Sequence, residues 1–123
     1  MVSVQERNRR AGAEWETRIV KILRQLGHAA ERLHLNGRED EGDIVVWIGD
    51  CGPIVVEAKS GQPHLPQFMR ETVAEARNYE KHRGHGEHSA TGVCVIKRKN
   101  MPWTEAYVVS TLGELLHATQ RKQ

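Results

Sequence analysis

The sequence predicts an α/β fold, a three-layer sandwich in which a central mixed β-sheet is covered by helices on both faces. Three observations predict it. Two β-branched runs, Ile44-Val45-Val46-Trp47-Ile48 and Ile54-Val55-Val56, flank the turn-forming segment Gly49-Asp50-Cys51-Gly52-Pro53 and read as a β-hairpin. Both runs are apolar on both faces, as in strands covered from two sides. Apolar stripes at helical spacing stand before the hairpin, after it and at the end of the chain, so the order is α-β-β-β-α-β-β-α.

In chain order, Trp15, Ile19, Ile22 and Leu26, with Val20 and Leu23 widening the stripe, predict an amphipathic helix over 11–27 that Gly27 ends. The basic run Arg7-Asn8-Arg9-Arg10 precedes it. Residues 28–35 alternate enough for a strand, and 36–41 form a polar loop whose acids, Glu39, Asp40 and Glu41, are expected in solvent. Beyond the hairpin, 67–81 reads as a helix with Leu65, Met69, Val73 and Ala76 on its buried stripe. The histidines at 82, 85 and 88 lack the layout of a structural zinc site and read as a solvated loop. Residues 91–96 form a buried strand ending in Lys97-Arg98-Lys99, and 106–110 form a last strand. Thr111-Leu112-Gly113-Glu114 has the pattern of a capping box, opening a final helix with Leu112, Leu115 and Leu116 inward.

A chain of 123 residues fits one domain, 1–123, with its own core. No apolar run approaches membrane length and no signal peptide is visible, which excludes a membrane partner. The two cysteines, Cys51 and Cys94, suggest neither a metal pair nor a disulfide framework, so a cytoplasmic setting is the simplest. The net charge of +2 excludes binding of nucleic acid through bulk charge; any such surface must come from clustering.

A hairpin symmetric about Cys51 sets Ile48 opposite Ile54, Trp47 opposite Val55, Val45 opposite Glu57 and Asp43 opposite Lys59. Period-two alternation then gathers Asp43, Glu57 and Lys59 on one face. Asp43 and Glu57 become diagonal neighbours, roughly 7–8 Å apart at the backbone, a separation a divalent cation can bridge. On the first helix, Glu14 aligns with Arg18, Lys21 and Gln25 on the polar face, whereas Glu16 aligns with Val20 and Leu23 at the margin of the core.

Asp43 at a strand start, followed by Glu57-Ala58-Lys59 on the next strand, resembles the PD-(D/E)XK nuclease superfamily, with Glu41-Gly42 where that family's Pro would precede the Asp. The basic stretch, Gly12, and Glu16 four residues on are similar to the opening of its Holliday-junction-resolvase branch, and Gly27 fits the Gly ending that branch's first helix. The resemblance implies a restriction-endonuclease-like core and a catalytic set of Glu16, Asp43, Glu57 and Lys59. It further implies Mg²⁺, with Mn²⁺ as an alternative, held by Asp43, Glu57, the Ala58 carbonyl oxygen and Glu16. Two carboxylates beside Lys59 should keep it protonated, which suits electrostatic stabilisation of a phosphate better than a general base.

Arg7, Arg9 and Arg10, with Lys97, Arg98 and Lys99, are the candidate DNA phosphate contacts. The chain has no room for a target-recognition domain. The expected function is therefore a metal-dependent, structure-selective endonuclease resolving Holliday (four-way) junctions as a homodimer, with Trp103 a candidate for its interface or its core. Another nuclease of the superfamily (nicking, flap or single-strand-specific) and a non-catalytic DNA-binding module are the alternatives.

Overall fold

The computed structural model describes residues 3–33, 40–61 and 64–120, the side chain of Asn8 excepted. The elements run α1 (Val4–Gln25), β1 (Ala29–Arg32), β2 (Ile44–Trp47), β3 (Pro53–Ser60), α2 (Leu65–His82), β4 (Thr91–Lys97), a short 3₁₀ turn (Trp103–Glu105), β5 (Tyr107–Val109) and α3 (Leu112–Gln120). The sheet order is β1-β2-β3-β4-β5, with β3 and β4 parallel and the other neighbours antiparallel. The predicted α/β class and element order hold. The parts of the expected loop and first strand at 34–39 lie outside the described residues. No helix among the described residues is long and apolar enough to cross a membrane.

The first helix starts a full two turns earlier than its apolar stripe suggests. Ser3 caps it, its hydroxyl accepting the Glu6 N–H at 3.0 Å, which is half of an S-x-x-E capping box. Arg7, Arg9 and Arg10 therefore sit on the first turns of α1 rather than ahead of it, and Glu6 pairs with both Arg9 and Arg10. At the other end, Gly27 adopts φ +91, His28 N–H reaches the Leu23 carbonyl and Gly27 N–H that of Arg24, a Schellman stop of the expected kind.

One face of the sheet packs Ile44, Val46, Val56 and Ala58 against Trp15, Ile19 and Val20 of α1, and the Trp15 indole donates to the Val95 carbonyl at 3.2 Å. The opposite face packs Val45 and Val55 beneath Ala76 and Tyr79 of α2, with Ala90 beside them. α2 approaches this face closely because β4 carries Gly92 there. A Cβ on Gly92 would fall 2.9 Å from the Thr72 carbonyl and 3.2 Å from the Ala76 Cβ. The buried stripe of α2 is accordingly Thr72, Glu75, Ala76, Tyr79 and Glu80, rotated from the expected Leu65, Met69, Val73, Ala76 line.

Two further expectations are corrected. The bidentate bond of Arg77 to Glu114 (2.9 and 3.0 Å), together with the bond from Gly92 N–H to Glu114, turns that carboxylate inward. Leu112, Leu115 and Leu116 are thereby turned outward, Leu112 being 70% exposed. Thr111 does accept the Glu114 N–H, but the Glu114 side chain serves Arg77 rather than closing the box. The histidine segment is not simply solvated: His82 contacts Glu41 at 2.7 Å, and His88 contacts Arg77 at 2.6 Å while stacking on His117 at 3.8 Å. On the α1 face, the sheet beyond α1 is left as an apolar groove of 330 Å³ lined in part by Ile22, Leu26, Ile48, Val95, Trp103 and Val108.

The Gly92 contact is with backbone, which cannot rotate away. Gly92→Ala is expected to destabilise the fold by about 1–3 kcal/mol through overpacking, read as a lower midpoint in urea unfolding; an unchanged midpoint would mean that α2 is not seated as described.

Candidate active site

The hairpin pairs Ile44 with Val56, Val45 with Val55, Val46 with Ile54 and Trp47 with Pro53, so it is centred on Asp50 rather than Cys51 and each partner is shifted by two residues from the expected register. Pro53 has no N–H and takes the first position of its strand, while Gly49 (φ +68) and Gly52 (φ +88) close the loop. Because the shift is even, side chains keep their faces. Asp43, one residue before β2, thus comes opposite Glu57 rather than diagonal to it.

Asp43 is fixed at three points. Its N–H donates to the Val56 carbonyl (3.0 Å), its carbonyl accepts from Leu33 N–H (2.8 Å), and its Oδ2 accepts the Ala58 N–H (2.8 Å). The preceding Gly42 holds φ +97, where a Cβ would meet Val55 Cγ1 at 2.8 Å and Glu75 Oε2 at 3.3 Å. No other residue type fits that position without displacing its neighbours.

Glu57 is 7% exposed, and its carboxyl stands beside those of Asp43 and Glu75, both of which act on its titration. Glu75, on α2, is 6% exposed, and its Oε2 has no hydrogen-bond partner. Asp40, Glu57 and Glu75 each direct a carboxylate oxygen to a common point, all within 4.8 Å of one another, a grouping that can hold a metal ion. Asp40 is held there by its own Oδ1 accepting Gly42 N–H (2.9 Å) and by Asn78 donating to its carbonyl (2.8 Å). Next to it, Glu41 is gripped by His82 and Arg83.

Burial is the main reason these acids resist ionisation. It pushes Asp43 up to about 8, helped by the hydrogen bond to Glu57 and its negative charge and opposed by the Ala58 N–H. Burial followed by Glu75 pushes Glu57 up to about 8, and burial, with the charges of Asp40 and Asp43, pushes Glu75 up to about 7. For Lys59, burial alone would lower the pKa, but the fields of Glu57, Glu71 and Asp43 raise it, so the ammonium stays charged. Its Nζ lies 3.4 Å from Glu71 and 4.7 Å from the centre of the Phe68 ring.

Asp43, Glu57 and Lys59 are brought together, with Ala58 between the last two. Glu16 is not part of the acidic trio: it belongs to α1, which packs on the other face of the sheet, and its Oε1 pairs with Arg32 at 3.2 Å. Lys97 ends β4 opposite Ser60 and Arg98 and Lys99 follow it, with Arg98 stacked over Tyr107 at 4.6 Å. The sequence reading missed Glu75 as a site residue; Asp40, expected in solvent with assistance to a metal as the alternative, is exposed and also brings one oxygen to the cluster. Glu75 was visible as an acid sharing a helical face with Thr72 and Tyr79, once Gly92 signals that this face packs closest.

Comparison with solved structures shows the fold. Archaeoglobus fulgidus Hjc, a Holliday junction resolvase from an archaeal hyperthermophile, superposes with a TM-score of 0.50 at 16% identity, over 85% of this chain and 93% of that one. No family model and no curated protein sequence matches the chain. The five-stranded mixed sheet with flanking helices is thus an α/β fold similar to that of this resolvase.

The raised acids set the direction of a pH effect. A carboxyl whose folded pKa lies above its unfolded value contributes stability that is complete below about pH 4 and is lost as the pH rises through about 8. Without metal, Glu57→Gln is expected to stabilise the protein relative to wild type at pH 8.5 more than at pH 5, measured by urea unfolding in EDTA. An equal effect at both values would show that these acids are not held together in the fold.

Proposed function

We propose that the chain, as a single nuclease domain, is a metal-dependent, structure-selective DNA endonuclease of the PD-(D/E)XK type that resolves four-way junctions as a homodimer. The observation carrying this reading is the juxtaposition of half-buried Asp43 and buried Glu57, with charged Lys59 two residues further along the same strand as Glu57, on a resolvase-like fold.

The donor set fits a hard divalent cation. It is all oxygen, and burial with mutual repulsion holds Asp43 and Glu57 uncharged up to about pH 8, a cost that a cation between them would remove. Asp43, Glu57, the Ala58 carbonyl oxygen and Glu16 would hold Mg²⁺, or Mn²⁺ in its place; Glu16 would exchange its Arg32 pairing for the cation or its water. When bound, the metal supplies charge neutralisation at the phosphate and acidification of water.

Lys59 remains protonated and directs its charge at the phosphate oxygens, where negative charge grows during cleavage. Ala58 N–H keeps the Asp43 carboxylate aimed across the strands. Arg7, Arg9 and Arg10 on α1, Lys97 at the end of β4 and Arg98 and Lys99 beyond it grip phosphates without reading bases. The open apolar groove containing Trp103 is the surface assigned to the second copy, since an uncovered apolar face of this kind favours association. A two-fold dimer would set one site on each of two opposed strands of a junction.

A labelled four-way junction and a matched linear duplex, each with Mg²⁺ or with EDTA, provide the test. Paired, Mg²⁺-dependent nicks on the junction are expected, with Glu57→Ala slowing cleavage about 10²-fold or more while junction binding persists, and Trp103→Glu uncoupling the two nicks. Equal cutting of junction and duplex would keep the site but move the function to a nicking, flap or single-strand nuclease. Binding without cleavage in any metal would leave only a DNA-binding module.

A further inference from the structure

The acids nearest the α2 side do more than surround Asp43 and Glu57. Asp40 arrives from the loop before β2, Glu57 from β3 and Glu75 from α2, three separate parts of the chain. Their nearest oxygens lie within 4.8 Å of one another. A cation bound at about 2.0–2.6 Å from each ligand spans that distance. An accidental surface cluster would leave its acids in solvent; here Glu57 and Glu75 are both more than nine-tenths buried.

Glu75 Oε2 supplies the independent observation. It is buried and accepts no hydrogen bond, a costly condition for a carboxylate oxygen unless something else satisfies it. It lies beside the space left by the missing side chain of Gly42, 3.3 Å from where a Cβ would stand. Asp40 is pinned in place opposite: Asn78 holds its carbonyl, Gly42 N–H holds its Oδ1, and the Glu41 contacts to His82 and Arg83 tie the same loop to the end of α2. Asp40 is exposed, as expected of this loop, and the loop is also clamped to the helix that bears Glu75.

We propose that Asp40, Glu57 and Glu75 hold a divalent cation on the α2 side, at a position distinct from the Asp43–Glu57 position and sharing Glu57 with it. This rests on the nuclease reading for its use but not for its existence. Asn78, His82 and Arg83 are then positioning residues, setting Asp40 through the backbone of its loop.

The test is a titration of the full chain with Mn²⁺ alone, without DNA, following free Mn²⁺ by electron paramagnetic resonance. Circular dichroism checks each variant's fold. Wild type is expected to bind a second Mn²⁺ that Glu75→Gln and Asp40→Asn each lose while keeping the first. Asp43→Asn should retain the α2-side ion, and Glu57→Gln should lose both. If Glu75→Gln and Asp40→Asn bind Mn²⁺ as wild type does, the α2-side position is overturned while the Asp43 position stands. If Asp43→Asn alone binds as wild type, the strand-pair site fails and the α2-side site survives; no Mn²⁺ bound by wild type overturns both.

Discussion

Arg77 is the interaction on which the arrangement of the rest depends. From the buried side of α2 it makes a bidentate bond to Glu114 of α3, donates to the Ala90 carbonyl and forms an ion pair with Glu80 at 3.0 Å. Those two acids in turn accept the N–H groups of His88, Ala90 and Gly92. One guanidinium thereby fixes α2, the turn after it, the start of β4 and the last helix. Both carboxylates are almost completely buried, so loss of Arg77 would leave two desolvated charges unpaired, the situation in which a buried ion pair has its largest effect. Arg suits the position because its planar fork can serve several acceptors at once.

With α2 fixed, the site follows by geometry. Glu75 lies two residues before Arg77 and points toward the strands, while Asn78, Tyr79, His82 and Arg83 continue the same helix over the loop before β2. Tyr79 carries the Arg83 guanidinium over its ring at 4.0 Å, and Arg83 reaches Glu41. The helix thus contributes one carboxylate directly and places another, Asp40, by holding its loop. Lys59 emerges from the same sheet face toward Glu71, earlier on α2, so the ammonium beside these acids is also bounded by that helix.

Much of this was legible in the sequence because period-two alternation is robust. The expected hairpin register was off by two residues, yet Asp43, Glu57 and Lys59 still shared a face, since only an odd slip reverses faces. The order of elements and the Gly27 helix stop followed from apolar periodicity and turn chemistry. What was not legible came from long-range polar contacts. The leucines of α3 read as a buried stripe, but Glu114 competed for the inward position and won because Arg77 and Gly92 N–H satisfy it. The same holds on α2, where Gly92 admits Thr72 and Ala76 to close approach and rotates Glu75 inward with them. Asp40 depended on Asn78, thirty-eight positions away, which no local pattern reports. The early start of α1 is different: Ser3 and Glu6 are a local signal that the apolar stripe alone overlooks.

Two buried charge clusters on α2 have opposite character. Around Arg77 the charges are paired and every carboxylate has donors, so the cluster fastens the helix. Around Glu57 the acids crowd one another and stay uncharged until about pH 7–8, Lys59 is engaged by Glu71, and Glu75 Oε2 lacks a partner, so once ionised the cluster pushes the same helix away from the sheet. The first can hold the second in place because both act through one rigid helix. A mixed sheet with apolar faces would gain nothing in stability from a knot of acids beneath α2. Its retention there, secured by an adjacent paired cluster, is what a site that must receive positive charge requires.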